Sequence, residues 1–173
     1  MKFFYHQIFL NMNTPKYPLP STMALNWSVA NLKIRYRLTG NPIPIRDSED
    51  SARVLYQMWD KSLINVQEQS AALYLNSKNQ AIGFRQISTG TMSSVSIDKG
   101  LILACALLVR ADAIILAHNH PSGEPIPSKS DIRNTVQLQK SIHLIGCRLI
   151  DHIILSEHQW YSMADGRNFL PDL

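Results

Sequence analysis

Two histidines separated by one residue, His118 and His120, open the segment His118-Asn119-His120-Pro121-Ser122-Gly123-Glu124-Pro125-Ile126-Pro127-Ser128-Lys129-Ser130-Asp131. In an extended stretch, side chains at i and i+2 share a face, so both imidazoles reach one ion. The prolines and glycine then turn the chain, and Asp131 arrives at the mouth of a helix, where its carboxylate returns to the same point. Two nitrogens and one oxygen leave a fourth tetrahedral position for water, the feature that separates a catalytic zinc site from a closed structural one. Paired imidazoles suit zinc better than magnesium or calcium, so one zinc ion per chain is the expected cofactor. Zinc brings the pKa of a water down to about 7. A carboxylate beside it is still needed to hold that water and move its proton.

The same residues carry a plainer reading. Ser-x-x-Asp, met by Ser128 and Asp131, is also the signature of a helix N-terminal cap. The two readings are compatible, because a cap would help fix Asp131. Asp151 and His152 form another polar pair, but neighbours in a strand face opposite ways and do not easily share a ligand. His152 therefore reads as a structural residue or as one that orients a ligand. His6, His143 and His158 lack partner spacing and are ordinary. Cys105 and Cys147 form neither a CxxC pair nor a disulfide framework and read as packing.

The elements that must position these groups follow from periodicity. Residues 113 to 117 are short, isoleucine-rich and followed at once by loop residues, the pattern of a strand buried on both faces. Residues 128 to 144 have helical spacing, with Gly146 as a C-terminal cap. Residues 147 to 155 read as a further strand, and 160 to 170 as a closing segment. Upstream, acids at Asp47, Glu49 and Asp50 precede Val54, Leu55, Met58 and Trp59 at helical spacing. Residues 71 to 75 and 81 to 87, divided by Asn76, Ser77, Lys78 and Asn79, read as a hairpin. A third strand is expected over 92 to 97, and 101 to 109, apolar nearly all round, predicts a helix buried against a sheet. Residues 11 to 22 hold three prolines and read as a flexible leader, and 32 to 38 alternate like a half-buried strand. Met1, Met12 and Met23 are alternative starts. The expected architecture is α/β, a mixed sheet flanked by helices, with 1 to 45 as a basic arm and first strand and 46 to 173 as the domain.

His-x-His, seven residues, Ser, two residues, Asp resembles the metal signature of the JAB/MPN metalloproteases, also called JAMM. More narrowly, residues 114 to 131 together with Asp151-His152-Ile153-Ile154 resemble the RadC-like branch over roughly 46 to 166. The resemblance implies an MPN/JAB (cytidine-deaminase-like) fold and a zinc hydrolase in which water on the metal attacks an amide bond of a peptide or protein. It further implies that Glu68, the only acid between Asp60 and Asp98, is the general acid and base, and that Ser128 steadies the oxyanion. Ser88-Thr89-Gly90-Thr91 is also family-like. Ile97-Asp98-Lys99-Gly100 departs from the Pro-Arg pair usual before the buried helix. The resemblance also implies that longer RadC-like proteins add a helix-hairpin-helix unit, and a chain of 173 residues is expected to be too short to include one.

Composition bounds the alternatives. With 45% hydrophobic and 17% charged residues, the chain can bury a sizeable core. No apolar run nears the ~20 residues that span a bilayer, and no signal-peptide pattern opens the chain, so a cytoplasmic, membrane-free address is expected. The net charge of +4 is unevenly divided. Lys2, Lys16, Lys33, Arg35 and Arg37 face no acid before residue 46, while the remainder holds twelve basic and thirteen acidic residues. The arm reads first as a solvated surface and second as a weak nucleic-acid contact. A DNA-repair-associated or DNA-binding accessory role, suggested by the RadC label, is thus the alternative to the hydrolase. A silent scaffold would show substituted ligand positions, and none is substituted.

Overall fold

The stretch expected to be buried on both faces is strand β4 (Ala113–Asn119), and all seven of its residues are buried. The computed structural model describes residues 40–166; the leader, the basic arm, the strand expected at 32 to 38 and the last residues of the closing segment lie outside them. Within this range β1 (Ile43–Pro44), β2 (Gln69–Leu75), β3 (Gln80–Thr89), β5 (Arg148–Leu155) and β6 (Trp160–Ser162) join β4 in one sheet, ordered β1-β3-β2-β4-β5-β6. β4 and β5 run parallel, and the other neighbours antiparallel. A parallel pair needs a long crossover, and helix α3 (Lys129–His143) supplies it. The mixed sheet flanked by helices is the expected α/β architecture.

Alternation along β4 sorts the core into two halves. Ala113, Ile115 and Ala117 pack with Val54, Leu55 and Trp59 at helix α1 (Ser48–Met58). Ile114 and Leu116 pack with Ile102 and Ala106 of helix α2 (Lys99–Val109) and with Leu138 and Ile142 of α3. By the same period His118 falls on the α3 face and Asn119 on the α1 face. Burying each of Ile114, Ile115 and Leu116 contributes about 1.5–3 kcal/mol. This anchors a strand that ends in two buried polar residues.

The hairpin forms as expected, its turn closed by Asn76, whose side-chain oxygen accepts from the Lys78 and Gln80 amides. Two expectations fail. Residues 92 to 97 are not a strand but a loop, exposed at Met92, Ser93 and Ser94 and buried at Ile97, because the chain reverses there: the Thr91 amide bonds the Ser94 carbonyl at 2.8 Å, and a side chain on Gly90 would strike that carbonyl. Ile97 instead packs into the core beside Ile102. Helix α2 is buried along one side only; Leu107 and Leu108 are exposed, since the sheet and α3 cover a single face. Asp98, at the departure from the usual Pro-Arg pair, caps α2 by accepting from the Leu101 amide at 2.9 Å.

Helix α1 begins at Asp47, which accepts from the Asp50 amide at 2.8 Å. Asp50 is itself buried and takes bonds from Arg46 and Arg53. The Arg46 bonds hold its carboxyl below the usual carboxylate range, outweighing burial, with Arg53 adding to them. A depressed folded-state pKa stabilises above the ordinary carboxylate value and loses that contribution as pH falls below it. Asp50→Asn should therefore lower stability at neutral pH and narrow the gap to wild type as the solution is acidified. Denaturation midpoints of both proteins at several acidic pH values check this.

Candidate metal centre

His118 is the penultimate residue of β4 and is 1% exposed. His120 follows it, its amide bonded to the Leu155 carbonyl at 2.8 Å, so the chain stays extended between the two. Their rings meet with the Nε2 atoms 2.9 Å apart. Asp131 arrives from the first turn of α3, with Oδ1 3.4 Å from His118 Nε2 and Oδ2 3.7 Å from His120 Nε2. The three ligand atoms all lie within 4.8 Å of one another, and among the described residues this is the group of His, Cys, Asp and Glu that could hold a metal ion.

The hydrogen-bond partners settle which ring nitrogens carry protons. His120 Nδ1 lies 2.8 Å from the Glu124 carbonyl. A carbonyl only accepts, so the proton is on Nδ1 and a neutral His120 presents a bare Nε2. His118 Nδ1 lies 2.8 Å from His152 Nε2, whose ring in turn meets Thr135 Oγ1 through Nδ1 at 2.6 Å. Thr135 Oγ1 also sits 2.6 Å from the Asp131 carbonyl. Two oxygens approach that closely only with a proton between them, so the hydroxyl donates to the carbonyl and accepts from His152. His152 then accepts from His118, leaving His118 Nε2 bare as well. Two lone pairs face each other at 2.9 Å, and a carboxylate stands beside them. Only a cation, a proton or a metal ion, makes that arrangement favourable, and two imidazoles with one carboxylate fit zinc.

Electrostatics agree. Burial alone would raise Asp131, but the bonds to His118 and His120 outweigh it and hold the carboxyl well below the usual range. The bond to Asp131 lifts His120 above the ordinary histidine value against the effect of burial. Burial pushes Glu68 up, while His118 and His120 pull it back.

Glu68 stands just before β2 and is half-buried. Its amide bonds the Thr91 carbonyl and its carbonyl accepts from the Gly90 amide, both at 2.7 Å. It lines a cleft of about 320 Å³ together with His120, Ser128, Asp131 and, from the 92 to 97 loop, Met92 and Val95. Glu68, His120 and Asp131 thus share one opening, with His118 buried behind it. Ser128 forms the expected cap of α3 as a full capping box: its Oγ accepts from the Asp131 amide at 3.2 Å and donates to Asp131 Oδ2 at 2.6 Å, and its amide bonds the same oxygen. Oδ2 is occupied by the cap, and Oδ1 faces His118.

Three residues outside the ligand set complete the site. His152, which reads from sequence as structural or orienting, touches His118 directly. Thr135 carries no signal in the sequence. Asn119, fully buried between the two histidines but on the opposite face, donates to the Ile64 and Gln67 carbonyls and accepts from the Gln69 amide. It ties down both neighbours of Glu68. The signal for it in the sequence was a polar residue at a position whose alternation demands the core. Asp151, facing away from His152 as expected, accepts from Ser162 Oγ and the Ala164 amide and holds the turn after β6.

Comparison with known proteins adds a family. The model of the RadC-like JAB domain matches residues 45–168. A UPF0758 protein of Carboxydothermus hydrogenoformans is 40% identical over 136 residues, covering 78% of this chain and 58% of its own. Those of Porphyromonas gingivalis and Aquifex aeolicus are 37% and 33% identical, covering 79% and 80% of this chain and 61% and 58% of theirs. The matches thus span about three fifths of these relatives.

Removing the Asn119 side chain leaves buried backbone groups around Glu68 without partners, a cost of about 1–3 kcal/mol. Asn119→Ala should lower the thermal midpoint accordingly and speed deuterium exchange at the Gln69 amide more than at β5 amides. Unchanged exchange at Gln69 would show that the tie does not hold this segment.

Proposed function

This chain belongs to the RadC-like JAB domain family, and from that premise we propose that it is a zinc-dependent hydrolase of peptide or protein amide bonds. One observation carries the reading: two bare imidazole nitrogens and a carboxylate converge at one wall of a cleft to which Glu68 also contributes. His118, His120 and Asp131 would hold the metal. Zinc bound there supplies Lewis acidity, polarising a carbonyl and lowering the pKa of a water to about 7.

The remaining work falls to the chain's own side chains. Glu68 accepts the proton of the attacking water and delivers it to the leaving nitrogen. Its burial raises its pKa from the ordinary carboxylate value toward neutrality, which makes it a better acceptor of that proton while it can still hand the proton on. Ser128 donates to the oxyanion as charge develops on the substrate oxygen. For that its hydroxyl turns away from Asp131 Oδ2, which keeps the bond from the Ser128 amide. The cap and the catalytic role thus use different atoms of one residue. Met92 and Val95 offer the substrate apolar contact beside the reacting centre.

Purified protein should carry about one zinc per chain by elemental analysis. Glu68→Gln should keep that zinc and lose about 10²–10⁴-fold in cleavage of a proteome-derived peptide library. Full turnover by the folded variant would remove Glu68 from the mechanism. Steeply salt-dependent DNA binding without zinc uptake would favour the accessory role instead. Zinc competes with a proton for His120 Nε2, and the Asp131 carboxylate holds that proton more tightly than on an ordinary histidine. Zinc affinity should therefore fall as pH drops, starting above the ordinary histidine value, as chelator competition across a pH series would read.

A further inference from the structure

We infer that Thr135, acting through His152, decides which nitrogen of His118 carries its proton, and so whether Nε2 is free for the metal and how tightly the site binds. The inference rests on the metal-site reading above and extends it to two residues outside the ligand set. His118, His152 and Thr135 are all at most 1% exposed, so no solvent bond replaces a missing partner. The His152 ring is fully enclosed, and its two nitrogens meet a hydroxyl and another imidazole rather than an anion. A buried ring without a counter-charge is neutral and owns a single ring proton, on one nitrogen or the other.

The far end of the chain chooses between them. With Thr135 donating to the Asp131 carbonyl at 2.6 Å, its oxygen is an acceptor toward His152, and the His152 proton sits on Nδ1. The Met163 sulfur, 3.7 Å from the same hydroxyl, is the weaker and more distant acceptor. His152 Nε2 is then an acceptor, the His118 proton sits on Nδ1, and Nε2 is bare. Without the hydroxyl, Nδ1 of His152 has nothing to donate to. The proton moves to Nε2, where His118 Nδ1 accepts it, and the His118 proton is displaced to Nε2, the atom that must bind the metal. The number of protons is unchanged; only their placement differs. The acceptor carbonyl belongs to Asp131, itself a ligand, so the relay closes on the site through the backbone of α3. Thr135 is in this sense a positioning residue.

The test compares Thr135→Val, which keeps shape and removes the hydroxyl, with Thr135→Ser, which keeps the hydroxyl. Nitrogen-15 NMR of the imidazoles in metal-free protein at alkaline pH reads the tautomers, and competition between protein and a chelator reads zinc affinity. Wild type and Thr135→Ser should show His118 protonated at Nδ1. Thr135→Val should show it protonated at Nε2 and bind zinc about 10–100-fold more weakly. A Thr135→Val protein with unchanged tautomer and affinity would overturn the relay and leave the metal site standing. Failure of wild type to take up zinc would instead overturn the metal reading together with the affinity claim, while the tautomers still report on the relay. Should Thr135→Val not fold, wild-type spectra suffice, since His118 protonated at Nε2 there contradicts the inference outright.

Discussion

Two unprotonated imidazole nitrogens 2.9 Å apart, with an aspartate against both, repel one another unless positive charge lies between them. The rest of the domain exists in a form that makes this arrangement tolerable. β4 is pinned by neighbours on both edges and covered on both faces, which fixes His118, while the His120 amide is bonded to the Leu155 carbonyl and its Nδ1 to the Glu124 carbonyl. The remaining partner of His118 is the His152 and Thr135 chain. The apolar core thus holds the pair where a cation, a proton or a metal ion, can be accommodated between its members.

Strand alternation then links ligand and base. His118 and Asn119 are adjacent in sequence and opposite in space. One joins the His118, His120 and Asp131 group on the α3 face, and the other reaches through the α1 face to the backbone beside Glu68. The segment carrying Glu68 is bonded from its other side by Gly90 and Thr91. Its position relative to the histidines is therefore fixed by backbone bonds at both flanks, while its carboxylate stays at the cleft.

The capping box at α3 shows how local and global demands meet in the same atoms. A helix start needs an acceptor for its unpaired amides, and Ser128 with Asp131 provides it. The same bonds occupy Oδ2 of Asp131 and turn Oδ1 toward His118. A short-range rule of helix formation has thus been used to aim a ligand.

Much was legible beforehand. The two-residue spacing of His118 and His120, the Ser-x-x-Asp cap, the helix starting at Asp47 and the polar turn of the β2-β3 hairpin are written in local patterns of period and residue type, and each stands where the pattern placed it. The burial of α2 and the path of residues 92 to 97 were misread. Both depend on which neighbour covers a face, and an apolar run does not say whether that neighbour exists. His152, Thr135 and Asn119 depend on contacts across 17 to 55 residues of chain. No local period encodes such contacts. The sequence by itself determined the donors and the elements that carry them; the tertiary structure decided where their protons go, because a ring nitrogen takes its role from the partner that packing brings to it.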